Sequence, residues 1–497
     1  CYNYCNYSKL RDVQNARTAM SFGWGRSNSG PFFRSRKERK EYMERETFSS
    51  RFGFLLVSAG CAVGLGNVWR FPYITGKYGG AAFVLIYLVF LVILGLPIMV
   101  MEFSVGRASR KSVASSFRAL EPEGTKWHWF GYFAMVCNYL LMMFYTVIAG
   151  WMFDYFVRMV SGSFEGLSAK GVSQAFSGLV ANPGEMAGWM IFTVLLGFGI
   201  CSLGLQKGVE KITKVMMSSL FVIMIVLVIH VFTLPGAQKG LRFYLLPNFG
   251  KMASSGPFEV IFAAMGQAFF TLSVGCGSMA IFGSYIGKER SLLGESINIT
   301  ALDTLVAVMA GLIIFPSCFA FGVSPDSGPS LIFITLPNVF NHMAGGRLWG
   351  SLFFLFMAFA AISTVIAVFE NICSFGMDLW GWSRKKSSGI NVILMIVLSL
   401  PVVFGYNLWS SFQPFGSGST VLDLEDFLVS DNLLPLGALV YVMFCMSRCG
   451  WGWDSFLAEA NAGRGAKFPR WAHGYVKFVL PLIILFVFVG GYIAKFA

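Results

Sequence analysis

Gly60-Cys61-Ala62-Val63-Gly64-Leu65-Gly66-Asn67-Val68-Trp69-Arg70-Phe71-Pro72 is the stretch whose reading decides the fold. Residues 52 to 72 are long and apolar enough to cross a membrane, yet three glycines interrupt the middle and Asn67 and Arg70 follow. An unwound turn survives in hydrocarbon only where protein or a polar cavity satisfies the freed backbone groups, so a break here suggests a binding site. The same glycines could instead line a face of close helix packing. Taken alone, the stretch leaves both readings open.

Outward from it, the chain is 56% hydrophobic and 13% charged over 497 residues, with a mean hydropathy of +0.64. These values lie outside the range of soluble domains and give a polytopic membrane protein. Apolar runs fall near 52 to 72, 81 to 104, 129 to 157, 187 to 204, 212 to 234, 257 to 284, 298 to 322, 348 to 380, 390 to 406, 427 to 447 and 472 to 496, which predicts eleven crossings. With a cytoplasmic N-terminus, the inner loops carry 17 Lys and Arg and the outer loops and tail 8. The positive-inside rule therefore places the N-terminus in the cytoplasm and the C-terminus outside a plasma (inner) membrane. The net charge of +13 is assigned to topology and contact with membrane lipid, and nucleic acid is not expected as a partner.

Residues 1–43 are polar, basic and rich in Ser, Asn and Gly, which predicts a disordered extension ahead of a membrane domain at 44–497. Met43-Glu44-Arg45-Glu46 would make a natural start, so the extension is either an upstream artefact or an addition particular to this lineage. Ten cysteines are scattered without a C-x-x-C pair or a nearby His, and read as unpaired small residues. The sequence lacks H-E-x-x-H, G-x-S-x-G and Walker motifs, and its four His are far apart, which argues against an enzyme or an ATP-driven pump.

The sixth crossing is also interrupted, at Gln267-Ala268-Phe269-Phe270-Thr271-Leu272-Ser273-Val274-Gly275-Cys276-Gly277. Two breaks at matching positions of two five-helix halves suggest inverted repeats, about 52–234 and 257–447, with a site at the midplane and an extra helix at 472–496. R-E-T-F-S-S-R-F-G-F (45 to 54), G-x-A-V-G-L-G-N-x-W-R-F-P (60 to 72), G-Q-x-F-F-T-L-S-x-G-x-G (266 to 277) and D-x-E-D-F (423 to 427) together resemble the neurotransmitter:sodium symporter family. The resemblance covers residues 44 to 497. Interrupted helices at inverted repeats are a known property of that family, so this agreement belongs to the resemblance.

What the resemblance implies is an all-α carrier of two inverted five-helix repeats, with broken first and sixth helices and an eleventh helix. Unwound carbonyls suit a hard cation, and helix N-terminal amides suit a carboxylate. Two Na+ sites are implied. The first comprises Ala62, Asn67, Thr271 and Asp303 with the substrate carboxylate; the second comprises Gly60, Val63, Ala360, Ser363 and Thr364. Substrate contacts fall at Ala62, Leu65, Gly66, Tyr145, Phe270 and Ser273, with Leu141, Phe270, Cys276 and Val368 around the side chain. Singly, these hydroxyls could bond to backbone and Tyr145 could be a packing aromatic; the combined pattern favours the site.

Many animal members have Asn where this chain has Asp303, and a chloride-binding Ser where it has Ala307. A fixed carboxylate supplies the charge that chloride would bring, so chloride-independent transport is expected. Gly64, where monoamine carriers have a carboxylate, points to an amino acid, and the small Cys276 to a large hydrophobic or aromatic one. The expected function is sodium-coupled symport of that amino acid into the cell by alternating access; a non-transporting sensor or a channel of the same fold is the alternative. Arg70 and Asp426 match an outer gate, and Arg45, Asp378, Tyr285 and Ser284 an inner one. Glu102 matches a position that braces the broken helices, and Glu370 is a candidate proton carrier or else a water-bonded structural acid. Phe48 replaces a usual Trp, and Ser218 a usual Pro of the fifth crossing. The oligomeric state stays open.

Overall fold

The computed structural model describes residues 45–254, 256–322 and 331–496. It divides into two units, Cys1–Arg45 and Glu46–Ala497. The expected extension at 1–43 lies outside the described residues. The second unit is all-helical, and nine of its described helices are long and apolar enough to cross a membrane. One bent pair, Arg51–Ala62 with Gly66–Lys77, makes a tenth span among the described residues; the remaining expected crossing, near 257 to 284, is formed by two shorter helices, Pro257–Thr271 and Ser278–Gly283.

In chain order these are α1 (Arg51–Ala62, resuming at Gly66–Lys77), α2 (Ala81–Ser109), α3 (Trp129–Ser161), α4 (Pro183–Ser202) and α5 (Leu205–Phe232). The second half comprises α6 (Pro257–Thr271, resuming at Ser278–Gly283), α7 (Leu292–Ala320), α8 (Gly346–Trp380), α9 (Arg384–Gly405) and α10 (Val421–Met446). The eleventh, α11, is Arg470–Ile493. Each five-helix half thus opens with a broken helix.

The first break has a local cause. Ser50 caps α1, its hydroxyl accepting from the Gly53 amide at 3.1 Å. The helix runs to Ala62, and Val63 then turns extended at φ −69° and ψ 95°. After a bend of 55° the helix resumes at Gly66. Pro72 follows the widened turn Gly66–Arg70, where the Phe71 amide bonds to the Gly66 carbonyl and the helix continues to Lys77.

The break in α6 spans 272–277 and puts Ser273 (φ +50°), Gly275 (φ +105°) and Gly277 (φ +78°) in the left-handed region. At Gly275 a Cβ would run into the Leu434 carbonyl oxygen of α10, and a Cβ on Gly437 would in turn run into the Gly275 carbonyl. Two backbones meet directly there because neither carries a side chain.

α1 packs against α5, α6, α7 and α8, so both breaks lie inside the bundle. Outward faces are apolar: Val215, Val222 and Ile229, seven residues apart on α5, are each at least 60% exposed, as a lipid-facing stripe requires. Without the usual Pro, helix Lys211–Phe232 continues unbroken through Ser218. All described cysteines are free thiols, as their scatter predicts.

Candidate functional site

The breaks face each other. Gln267 of α6 donates from Nε2 to the Gly66 carbonyl at 2.9 Å, and the Ser273 hydroxyl lies 3.5 Å from the Cys61 carbonyl. Glu102 of α2, fully buried, accepts from the Gly275 and Met279 amides, which ties the α6 break to the first turn of the helix that resumes after it. These amides lack helical partners at the break, and a buried carboxylate satisfies them.

Around the α1 break the polar atoms fall into two groups. In the first, Asn67 donates from Nδ2 to Asp303 Oδ1 at 2.8 Å and to the Asp303 carbonyl at 3.0 Å. Its Oδ1 accepts from the Gly64 amide at 3.3 Å, and Thr271 donates to Asp303 Oδ2 at 3.2 Å. Asn67 and Asp303 are fully buried and Thr271 nearly so. Ala307, one turn beyond Asp303, is buried as well.

In the second group the Thr364 hydroxyl lies 3.2 Å from both the Gly60 and Val63 carbonyls, and the Ser363 hydroxyl 3.1 Å from that of Gly60. Both hydroxyls also reach the Ala360 carbonyl one turn back, at 2.9 and 3.5 Å. Bonding within their own helix therefore coexists with the cross-helix set. Three carbonyls and two hydroxyls converge at one depth, from α1 and α8.

Beside these groups the Leu65 amide donates to the Tyr145 phenol oxygen at 3.0 Å, joining two of the atoms expected to meet a carboxylate. Gly64 adjoins them: a Cβ there would collide with Tyr145 Oη and lie 2.6 Å from Thr364 Oγ1. Leu141 shares a face of α3 with Tyr145 one turn away, and Val368 shares a face of α8 with Thr364. Leu141, Cys276 and Val368 are all buried. Gly66 backs onto Phe270, whose ring atoms would come within 3.0 Å of a Cβ.

At the outer gate the contacts differ from the expected pair. Arg70 stacks its guanidinium over the Phe270 ring at 4.6 Å. No ion pair joins it to Asp426 among the described residues; Asp426 accepts from the Ser430 hydroxyl at 2.6 Å. At the other end, Asp378 accepts from the Ser112 amide at 2.6 Å and lies 3.9 Å from Lys111. Arg45 belongs to the other unit, so its partnership with Asp378 rests on sequence alone. Tyr285 donates to Glu370 at 2.6 Å and lies 3.1 Å from the Ser374 hydroxyl. Phe48 packs edge-on to Phe54 and Tyr285, keeping an apolar plug beside them.

Glu370 needs a correction. Read from sequence as a candidate proton carrier, it is held in a buried pair with Arg384 at 2.6 Å, and Arg384 also binds Glu46 at 3.0 Å. Glu46 accepts the Leu205 amide at 2.7 Å, so one network ties the chain before α1 to α5, α8 and α9. An Arg opening α9, 14 positions after an intramembrane Glu, was the available signal for this partner.

The sequence profile of the Sodium:neurotransmitter symporter family matches residues 45–173 and 167–496. Over 446 residues the chain is 34% identical to the uncharacterized sodium-dependent transporter YhdH of Bacillus subtilis, covering 89% of this chain and 96% of that protein. A Methanocaldococcus jannaschii sodium-dependent transporter, MJ1319, is 31% identical over 89% of both chains. Among solved structures, MhsT in complex with L-phenylalanine superimposes with a TM-score of 0.80 at 35% identity, covering 90% of this chain and all of that one. These proteins are transporters and not enzymes. On the profile, the relatives and the shared fold together, the chain belongs to the sodium:neurotransmitter symporter family, a family of multi-pass membrane carriers.

Proposed function

We propose that the protein is a sodium-coupled symporter that carries a neutral amino acid with a large hydrophobic or aromatic side chain into the cell, without a need for chloride. The observation that carries this reading is the double oxygen set at the α1 break. Asn67, Thr271 and Asp303 would hold one sodium together with the Ala62 carbonyl and the substrate carboxylate. The carbonyls of Gly60, Val63 and Ala360, with Ser363 and Thr364, would hold a second. Both sets are rich in neutral oxygen and carry few charges, which suits a monovalent hard cation better than a divalent one.

The substrate carboxylate would meet the Leu65 and Gly66 amides and Tyr145 Oη, with the amine near carbonyls at Phe270 and Ser273. Leu141, Phe270, Cys276 and Val368 would enclose the side chain. The relative MhsT was crystallised with L-phenylalanine, which supports an aromatic substrate for a site of this kind. Asp303 beside the first sodium set would supply the negative charge when ionised, and Ala307 offers no hydroxyl for a halide; these two support a chloride-independent carrier. Repeats of about 52–234 and 257–447 would rock against each other, with the N-terminus in the cytoplasm as the basic loops suggest.

Equilibrium binding of labelled phenylalanine, leucine, glycine and a monoamine to the purified protein tests the substrate class. The reading requires phenylalanine and leucine to bind only with sodium present, and the monoamine not to bind. Equal binding with potassium replacing sodium would refute it.

A further inference from the structure

Beyond transport, the segment joining α10 to α11 encloses a cavity of about 590 Å³ lined by Arg448, Trp451, Trp453, Asp454, His473 and Lys477. It lies at a membrane boundary, because α10 ends at Met446 and α11 begins at Arg470. The face is that of the α6–α7 loop: Arg290 bridges to Arg464, and Lys288 pairs with Glu459 of helix Trp453–Ala460 at 2.8 Å.

Some charges elsewhere on this face are neutralised. Glu459 is shared between Lys288 and the buried Arg107, the latter at 2.7 Å. Around the cavity they are not: Arg448 and Lys477 have no acidic partner among the described residues, and Asp454 has no basic one. Two cations and one carboxylate therefore border the same space without pairing with one another. His473 stacks edge-on to Trp453 at 5.0 Å, so the wall between the charges is aromatic.

Below the cavity the surface turns apolar. Met443 on α10 and Phe478 and Leu482 on α11 are 48%, 62% and 66% exposed. Trp471, in the first turn of α11, is 82% exposed, at the position where indoles settle at headgroup level. A pocket bordered by charged and aromatic side chains thus opens at the boundary, above exposed apolar side chains of α10 and α11.

We propose that this cavity is a specific site for an ammonium-bearing phospholipid headgroup, of the phosphatidylethanolamine class. Arg448 and Lys477 hold the phosphate; Asp454 and the indole faces of Trp451 and Trp453 hold the ammonium; the acyl chains lie along Met443 and Leu482. A purely anionic headgroup would satisfy the two cations and leave Asp454 facing negative charge. A headgroup with a buried, methylated amine would lose the hydrogen bonds that a carboxylate accepts from a primary ammonium.

The test is native mass spectrometry on the full chain, stripped of lipid in detergent and titrated with dioleoyl phosphatidylethanolamine, phosphatidylglycerol or phosphatidylcholine, with soluble O-phosphoethanolamine as competitor. The wild type is expected to retain one phosphatidylethanolamine in preference to the other two. Arg448→Gln with Lys477→Gln should weaken retention of every phospholipid by about tenfold or more, as loss of two charge-assisted contacts implies. Asp454→Asn should abolish the preference over phosphatidylglycerol while leaving phosphatidylglycerol bound.

Unchanged retention in the double variant would overturn the proposal, as would tighter binding of phosphatidylglycerol than of phosphatidylethanolamine to the wild type. Displacement by O-phosphoethanolamine at the lipid's own concentration would assign the cavity to a soluble phosphomonoester and overturn it too. Lys477→Gln alone, at an exposed position, carries the same test should the double variant express poorly.

Discussion

The carboxylate of Asp303 and the carboxamide of Asn67 meet at 2.8 Å, and the same Asn67 accepts the Gly64 amide that the helix break has freed. A residue on α7 is thereby tied to the unwound turn of α1. Through Thr271, 3.2 Å from the other Asp303 oxygen, the tie extends to α6. Three helices converge on one acid, so its charge is set where both breaks can sense it.

Replacing that acid should change the ion requirement. Asp303→Asn removes the fixed charge beside the first sodium set and should lower uptake in chloride-free buffer by about tenfold or more, the equivalent of about 1.4 kcal/mol. Asp303→Asn with Ala307→Ser should restore uptake only when chloride is present. Chloride-independent uptake by the double variant would contradict this account of the charge. Uptake measured in chloride and in gluconate gives the comparison.

Thr364 bridges the Gly60 and Val63 carbonyls. Thr364→Val keeps the shape and deletes the oxygen, so the sodium concentration for half-maximal binding should rise about tenfold, with a smaller change in substrate affinity at saturating sodium. An unaltered sodium titration would remove Thr364 from the ion site.

Gly64 is where the site is tightest. Gly64→Ala places a methyl against Tyr145 Oη and Thr364 Oγ1, displacing together the side chains proposed to meet the substrate carboxylate and the second sodium. Substrate binding should be lost while the fold persists, because the helix is already broken at this point. Calorimetric binding together with a melting curve separates the two effects; retained affinity would mean that the carboxylate sits elsewhere.

Arg384 covers a carboxylate that is completely buried. Arg384→Gln strands the Glu370 charge and should destabilise the protein by about 3–5 kcal/mol, whereas adding Glu370→Gln should recover most of that loss. Thermal unfolding of the single and double variants in one detergent provides the cycle. Equal losses in both would show that Glu370 is not stranded by the first change.

Legibility followed the length scale of the signal. Hydropathy located the nine long spans and the bent first one, because a membrane span is a long and composition-dominated feature, while the run near 257 to 284 is divided between two shorter helices. The breaks were legible because Gly64 and Gly66 in the first crossing and Gly275 and Gly277 in the sixth interrupt apolar runs at matching positions, which close packing alone does not require. Asn67, Asp303, Ser363 and Thr364 were placed by resemblance, and the fold gathers them around α1. Arg384 and Glu46 escaped notice because a charge at the edge of a span looks like ordinary topology signal until tertiary structure supplies its buried partner. For the outer gate, the partner that Arg70 takes depends on conformation as well as on sequence.

Uptake into proteoliposomes under an inward sodium gradient, with a panel of labelled amino acids, tests the central claim most directly. The account predicts accumulation of phenylalanine and other bulky neutral amino acids above equilibrium, dependent on the sodium gradient and unchanged when gluconate replaces chloride. Sodium-dependent binding without accumulation, or accumulation driven by a proton gradient alone, would contradict it.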